Sequence, residues 1–127
     1  KVSDDDIKWL YPDETMDEVA RRWIAQGVSC VLLTRGEHGL IGFTEHGMEE
    51  VDGAKITVVD TVGAGDTVGA IIVEGIIEHS VAELQGHILN SVLHKAAIAA
   101  GITCSRAGAQ PPYKHELTEA MENNAVY

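Results

Sequence analysis

The sequence predicts an α/β layered fold. Three observations carry that expectation. Stretches with apolar residues at helix spacing alternate with short, nearly continuous apolar runs, as in Val28 to Leu33. Glycine or proline punctuates most of the joins. The chain has 127 residues and is 45% hydrophobic, which suits one domain with a substantial core.

Residues 3 to 27 read as two helices separated by Pro12. Thr15 and Glu18 have the spacing of a capping box. Met16, Val19, Ala20, Trp23 and Ile24 then recur on one helix face, and Gly27 ends the run. Trp9 and Trp23 are both expected in the core. Val28 to Leu33 reads as a strand buried on both faces. Leu40 to Thr44 and Met48 to Val51 form a predicted hairpin around Glu45-His46-Gly47. Ile56 to Val59 is a further predicted strand. A helix is expected after Asp66, a second from about Val81 to Ala100, and a last one over Lys114 to Asn123, after the stiff loop "RAGAQPP".

Composition narrows the function. The net charge of −11 disfavours nucleic acid and anionic membranes, which call for basic patches. No segment approaches the roughly 18 uninterrupted apolar residues of a membrane helix. The chain opens Lys1-Val2-Ser3, which carries no targeting pattern and reads like mid-chain sequence. Cys30 and Cys104 sit in apolar contexts without close spacing, which favours free thiols in a cytoplasmic protein. His87 and His94 share a helix face but are too far apart for one small metal ion without outside help.

The richest stretch is "VVDTVGAGDTVGA", residues 58 to 70. Gly63 and Gly65 allow backbone amides to point into one concavity, and the helix that follows adds free N–H groups and the positive end of its dipole. That combination is an anion site, with phosphate as the common guest. The spacing matches neither a dinucleotide-binding loop nor a P-loop. Asp66 has two readings of equal weight from chemistry alone. It stabilises the helix N-terminus by about 0.3–1 kcal/mol, or it is a general base beside the anion hole.

Asp60-Thr61-Val62-Gly63-Ala64-Gly65-Asp66-Thr67 resembles the C-terminal signature of the ribokinase/PfkB family of carbohydrate kinases. Supporting motifs follow the family's order. Lys1-Val2-Ser3-Asp4-Asp5-Asp6 resembles the start of its Asn-x-x-Glu segment in the form of fructokinase-like members, Thr34-x-Gly36-x-x-Gly39 its nucleotide-phosphate turn, and Gly108-Ala109-Gln110-Pro111 its C-terminal loop. The resemblance covers essentially the whole chain but only the second half of the family's usual length. It implies that residues 1–127 are a single incomplete domain, the C-terminal portion of a ribokinase-like three-layer fold, with a mostly parallel sheet flanked by helices and a β-hairpin.

The resemblance further implies ATP-dependent phosphorylation of a sugar hydroxyl, fructose to fructose 6-phosphate, with ATP and Mg2+ as cofactors and K+ as a further candidate. Asp66 would be the catalytic base. Gly63, Ala64, Gly65 and Asp66 would form the anion hole. Thr34, Gly36, Gly39 and Ala97 would bind ATP, within an adenine wall over Ala96 to Gly101. Asp6 would influence Mg2+ indirectly, and Asp60, Val62 and Gly108 would hold a monovalent cation. A sugar and ATP are the implied partners, and a homodimer is compatible with the family. Departures from the family pattern are Ser3 and Asp6 for Asn and Glu, Val68 for Phe, Ile71 for a small residue, Ala97 for Asn or His, and Pro112 for a serine. A ribose or nucleoside kinase of the same family is the nearest alternative. A nucleotide-binding module without catalysis is the alternative of a different class.

Overall fold

The computed structural model describes residues 1–124. Its elements run β1 (Val2–Ser3), α1 (Asp4–Leu10), α2 (Met16–Ala25), β2 (Cys30–Thr34), a 3-10 turn (Gly36–His38), β3 (Leu40–Thr44), β4 (Gly47–Val51), α3 (Ala64–Glu83), α4 (Gly86–Cys104) and α5 (Lys114–Asn124).

Local chemistry starts the first two helices. Ser3 and Asp6 form a reciprocal capping box on α1, and Thr15 and Glu18 form another on α2, as their spacing predicts. Each side chain satisfies a backbone amide that has no intrahelical acceptor.

The four strands lie in the order β1-β2-β3-β4. β1 pairs with β2 in parallel, whereas β2–β3 and β3–β4 are antiparallel. The sheet is therefore mixed within the described residues. The parallel pair needs the two-helix crossover between β1 and β2, while a short turn suffices for the hairpin.

Period-two alternation splits the core into two layers. Leu32 and Leu40 face a cluster with Val51, Val68, Leu89, Leu93, Ala96 and Ala97, so this side of the sheet is covered by α3 and α4. Val31, Leu33, Ile41 and Phe43 face the other way, onto Ile7, Val19 and Ala20 of α1 and α2. The continuous apolar run of β2 thus has a partner for every side chain. Helices, sheet and helices make three layers.

Three expectations need correction. Residues 56 to 59 form no strand: Val59 N–H donates to the Cys104 carbonyl at 2.8 Å, and no neighbouring strand supplies a ladder. Trp9 is 81% exposed, because α1 turns Ile7 toward the sheet and Trp9 away from it. Trp23, by contrast, is half-buried and meets Tyr11 edge-on at 6.0 Å. The second long helix begins at Gly86 rather than Val81. Ser80 leaves helical geometry at φ 65° and Gln85 is extended, so the chain turns to bury Leu84 before α4 starts.

Candidate active site

The loop between β4 and α3 forms the bend, and a carboxylate holds it. Asp60 accepts Val62 N–H at 3.0 Å on one oxygen and Gly108 N–H at 2.9 Å on the other. The Val62 amide, then the Gly108 amide, holds the Asp60 carboxyl below its usual range. Both Val59 and Asp60 also donate their N–H groups to the Cys104 carbonyl at the end of α4. The bend is therefore tied to α4 and to the loop after it.

Gly63 caps α3 with φ 80°, a left-handed geometry, and a Cβ there would stand 2.8 Å from that of Ala109. The Ala64 amide bonds back to the Thr61 carbonyl. Among the described residues, the N–H groups of Gly63, Gly65 and Asp66 have no hydrogen-bond acceptor. Three free donors thus gather at the positive end of a long helix. Asp66, in the first turn, is exposed.

Across from the bend, β2 delivers Thr34 into the turn that leads to β3. Gly39, at φ 86°, lies so close to the hairpin that a Cβ would fall 2.0 Å from the Val51 carbonyl oxygen. Arg35 clamps the turn: its Nη2 reaches the His38 carbonyl and Glu50 Oε1, each at 2.7 Å. Its Nε is buried with no partner, a spare donor.

An open cleft of about 1040 Å3 separates the two regions. Thr34, Gly36 and Gly39 line one wall, Ala64 and Gly65 a second, and Ala97, Ala100 and Gly101 of α4 a third. The fold thus brings the sequence-predicted nucleotide residues and part of the anion hole to one cavity. Ala97 is 8% exposed and presents a methyl group.

Other predicted residues lie outside that lining, Gly63 and Asp66 among them, although their neighbours Ala64 and Gly65 are part of it. Asp6 is exposed at the start of α1, where the Ser3 side chain and then its backbone hold the carboxyl below its usual range. Asp60, Val62 and Gly108 brace the bend from behind.

Sequence reasoning missed several participants. Arg35, Asp52 and Lys55 line the cleft. Lys1 brings its ammonium 3.2 Å from where a Gly65 Cβ would stand. No local signal marks Lys1, since only the β1–β2 crossover carries it to α3. Arg35 sits inside the turn motif, where its donor fork was the available clue.

Residues 1–116 match the family described as pfkB family carbohydrate kinase. A fructokinase of Solanum tuberosum is 32% identical over 129 residues, covering 98% of this chain and 40% of that protein. The chain spans about two fifths of the length of that curated relative, and less of others it matches. Among solved structures, a ribokinase of Thermotoga maritima superposes with a TM-score of 0.80 at 23% identity, over 95% of this chain and 41% of that one. A Vibrio cholerae fructokinase in a fructose-, ADP- and calcium-bound form gives a TM-score of 0.76 at 20% identity, over 93% of this chain and 40% of that one. These superpositions show a ribokinase-like fold.

Proposed function

The chain belongs to the pfkB family of carbohydrate kinases, and from that premise we propose that it is the ATP-side, catalytic part of a fructokinase-like enzyme. The observation that carries the reading is the set of free amides at Gly63, Gly65 and Asp66 with the exposed Asp66 carboxylate, on a helix start whose Ala64 and Gly65 line the cleft.

The proposed chemistry is transfer of the γ-phosphoryl group of ATP to a primary sugar hydroxyl. Asp66 takes the hydroxyl proton as the oxygen attacks phosphorus. The bond to the bridging oxygen breaks, and ADP leaves. The free amides would hold the charge that develops on the transferring group, and preorganised donors of this kind cost little reorganisation. Thr34, Gly36 and Gly39 would contact the phosphates or ribose, and the small residues of α4 would lie against the adenine.

The cleft fits a nucleotide in size, in its apolar α4 wall and in the spare Arg35 Nε donor. Among the described residues, no group of three or more His, Cys, Asp or Glu side chains is placed to hold a metal ion. Mg2+ would be carried largely by substrate phosphates and water, where it neutralises phosphate charge. Asp6 is the candidate to influence it indirectly. The Asp60 carboxylate and the Val62 and Gly108 carbonyls would be the oxygen donors for K+, which takes such ligands.

The test is a coupled assay of full-length protein with ATP against fructose, ribose, other sugars and nucleosides. ATP-dependent phosphorylation of fructose supports the reading. A preference for ribose or a nucleoside moves it to another member of the family. Nucleotide binding without turnover on any acceptor sinks it and leaves a binding module.

A further inference from the structure

A buried hydroxyl pair joins the anion-binding turn to the nucleotide-side helix. Thr67 and Thr103 are the buried polar side chains of the core, at 6% and 0% exposure. Their Oγ1 atoms lie 2.9 Å apart. Thr67 Oγ1 is also 2.9 Å from the Gly63 carbonyl oxygen, and Thr103 Oγ1 is 3.1 Å from that of Ala99. Two hydroxyls carry two protons, yet there are three contacts of hydrogen-bond length. The two protons can serve both carbonyls, leaving the hydroxyls in contact without a proton between them, or one carbonyl and the hydroxyl–hydroxyl contact, with either threonine as donor. The Gly63 carbonyl keeps the Thr67 hydroxyl in two of these three arrangements and loses it in one, while its bond from the Thr67 amide, at 2.9 Å, persists in all.

The position of the pair gives this arithmetic its meaning. Gly63 is the left-handed cap from which the free amides of α3 fan out. Ala99 and Thr103 belong to α4, whose Ala97, Ala100 and Gly101 line the cleft. Among the described residues no other polar side chain is buried in the core to compete for these hydroxyls, and such pairs are strengthened by low dielectric.

We infer that Thr67 and Thr103 are positioning residues that fix the Gly63–Asp66 turn against α4, so that phosphoryl-transfer geometry depends on a hydroxyl pair that touches neither substrate. The inference rests on the kinase reading above. It assigns work in the chemical step rather than in substrate binding.

The experiment uses full-length protein and compares Thr103→Val, which keeps shape and removes the hydroxyl, with Thr103→Ser, which keeps the hydroxyl. The expected result is a fall in kcat on the order of tenfold for Thr103→Val, with KM for the sugar within about twofold, since small misplacements cost rate. Thr103→Ser restores kcat to within about threefold of the parent. The double variant Thr67→Val/Thr103→Val loses no more than the worse single one, because the hydroxyls act as a unit. If Thr103→Val does not fold, Thr103→Ala is read by the same kcat and KM split. Unchanged kcat in a folded hydroxyl-free variant overturns the inference, and so does additive loss in the double variant. Asp66→Asn run alongside separates the two ideas: full turnover there defeats the kinase mechanism itself, whatever the threonine variants do.

Discussion

The Asp60 carboxylate accepts the Gly108 amide at 2.9 Å, and this one bond joins the bend before α3 to the loop after α4. Its other oxygen takes the Val62 amide at 3.0 Å. Both bonds favour the charged form, so the folded pKa lies below the unfolded value of about 3.9. The stabilising contribution is therefore present above about pH 4 and is lost as pH falls through the folded value. The Tm difference between the parent and Asp60→Asn should be flat from about pH 6 to 8 and shrink below about pH 4. A difference that persists undiminished to about pH 2 would show that charge is irrelevant to the bend.

Asp66→Asn in full-length protein should leave ATP affinity within about twofold and cut kcat by roughly 100-fold or more. The amide keeps the shape of the side chain but carries no charge and cannot take a proton. Isothermal titration with ATP and a coupled kinase assay read the two quantities. Retained turnover would return Asp66 to the role of a helix-dipole acid.

Gly39→Ala should destabilise the protein by about 2 kcal/mol or more in a denaturant titration. A side chain at φ 86° alone costs about 1–3 kcal/mol. The added methyl would also fall 2.0 Å from the Val51 carbonyl oxygen, so the hairpin backbone must yield. A loss under about 0.5 kcal/mol would mean that the turn gives way freely.

Arg35→Lys should raise KM for ATP by about two- to tenfold with kcat little changed, the equivalent of roughly 0.4–1.4 kcal/mol. Lysine can hold Glu50 or the His38 carbonyl as a point charge, but it lacks the rigid planar guanidinium that sets Nη2 between the two and leaves Nε as a buried donor. An unchanged KM would show that the turn keeps its shape without the clamp.

Much of the fold was legible because it is written locally. Thr15 and Glu18 announce α2 by spacing, and the unbroken apolar run of β2 announces burial on two faces. The turn and bend glycines were equally readable, since chemistry demands them at the site itself. What escaped depends on contacts far along the chain. Val59 looks like strand until the Cys104 carbonyl claims its amide. Trp9 looks like core until α1 is seated by Ile7. Lys1 meets Gly65 only after the sheet forms, and Thr67 finds Thr103 only after α3 and α4 pack.

The donors at Gly63, Gly65 and Asp66 belong to the main chain, and this has a consequence for any mutational survey of the molecule. Alanine scanning deletes side chains and leaves peptide groups in place, so it passes over these donors silently. The sensitive positions in such a map would be the residues that shape the backbone around them: Gly63, Asp60, Thr67 and Thr103. A survey of this protein would draw the proposed anion pocket as an outline of supports around an apparently blank centre.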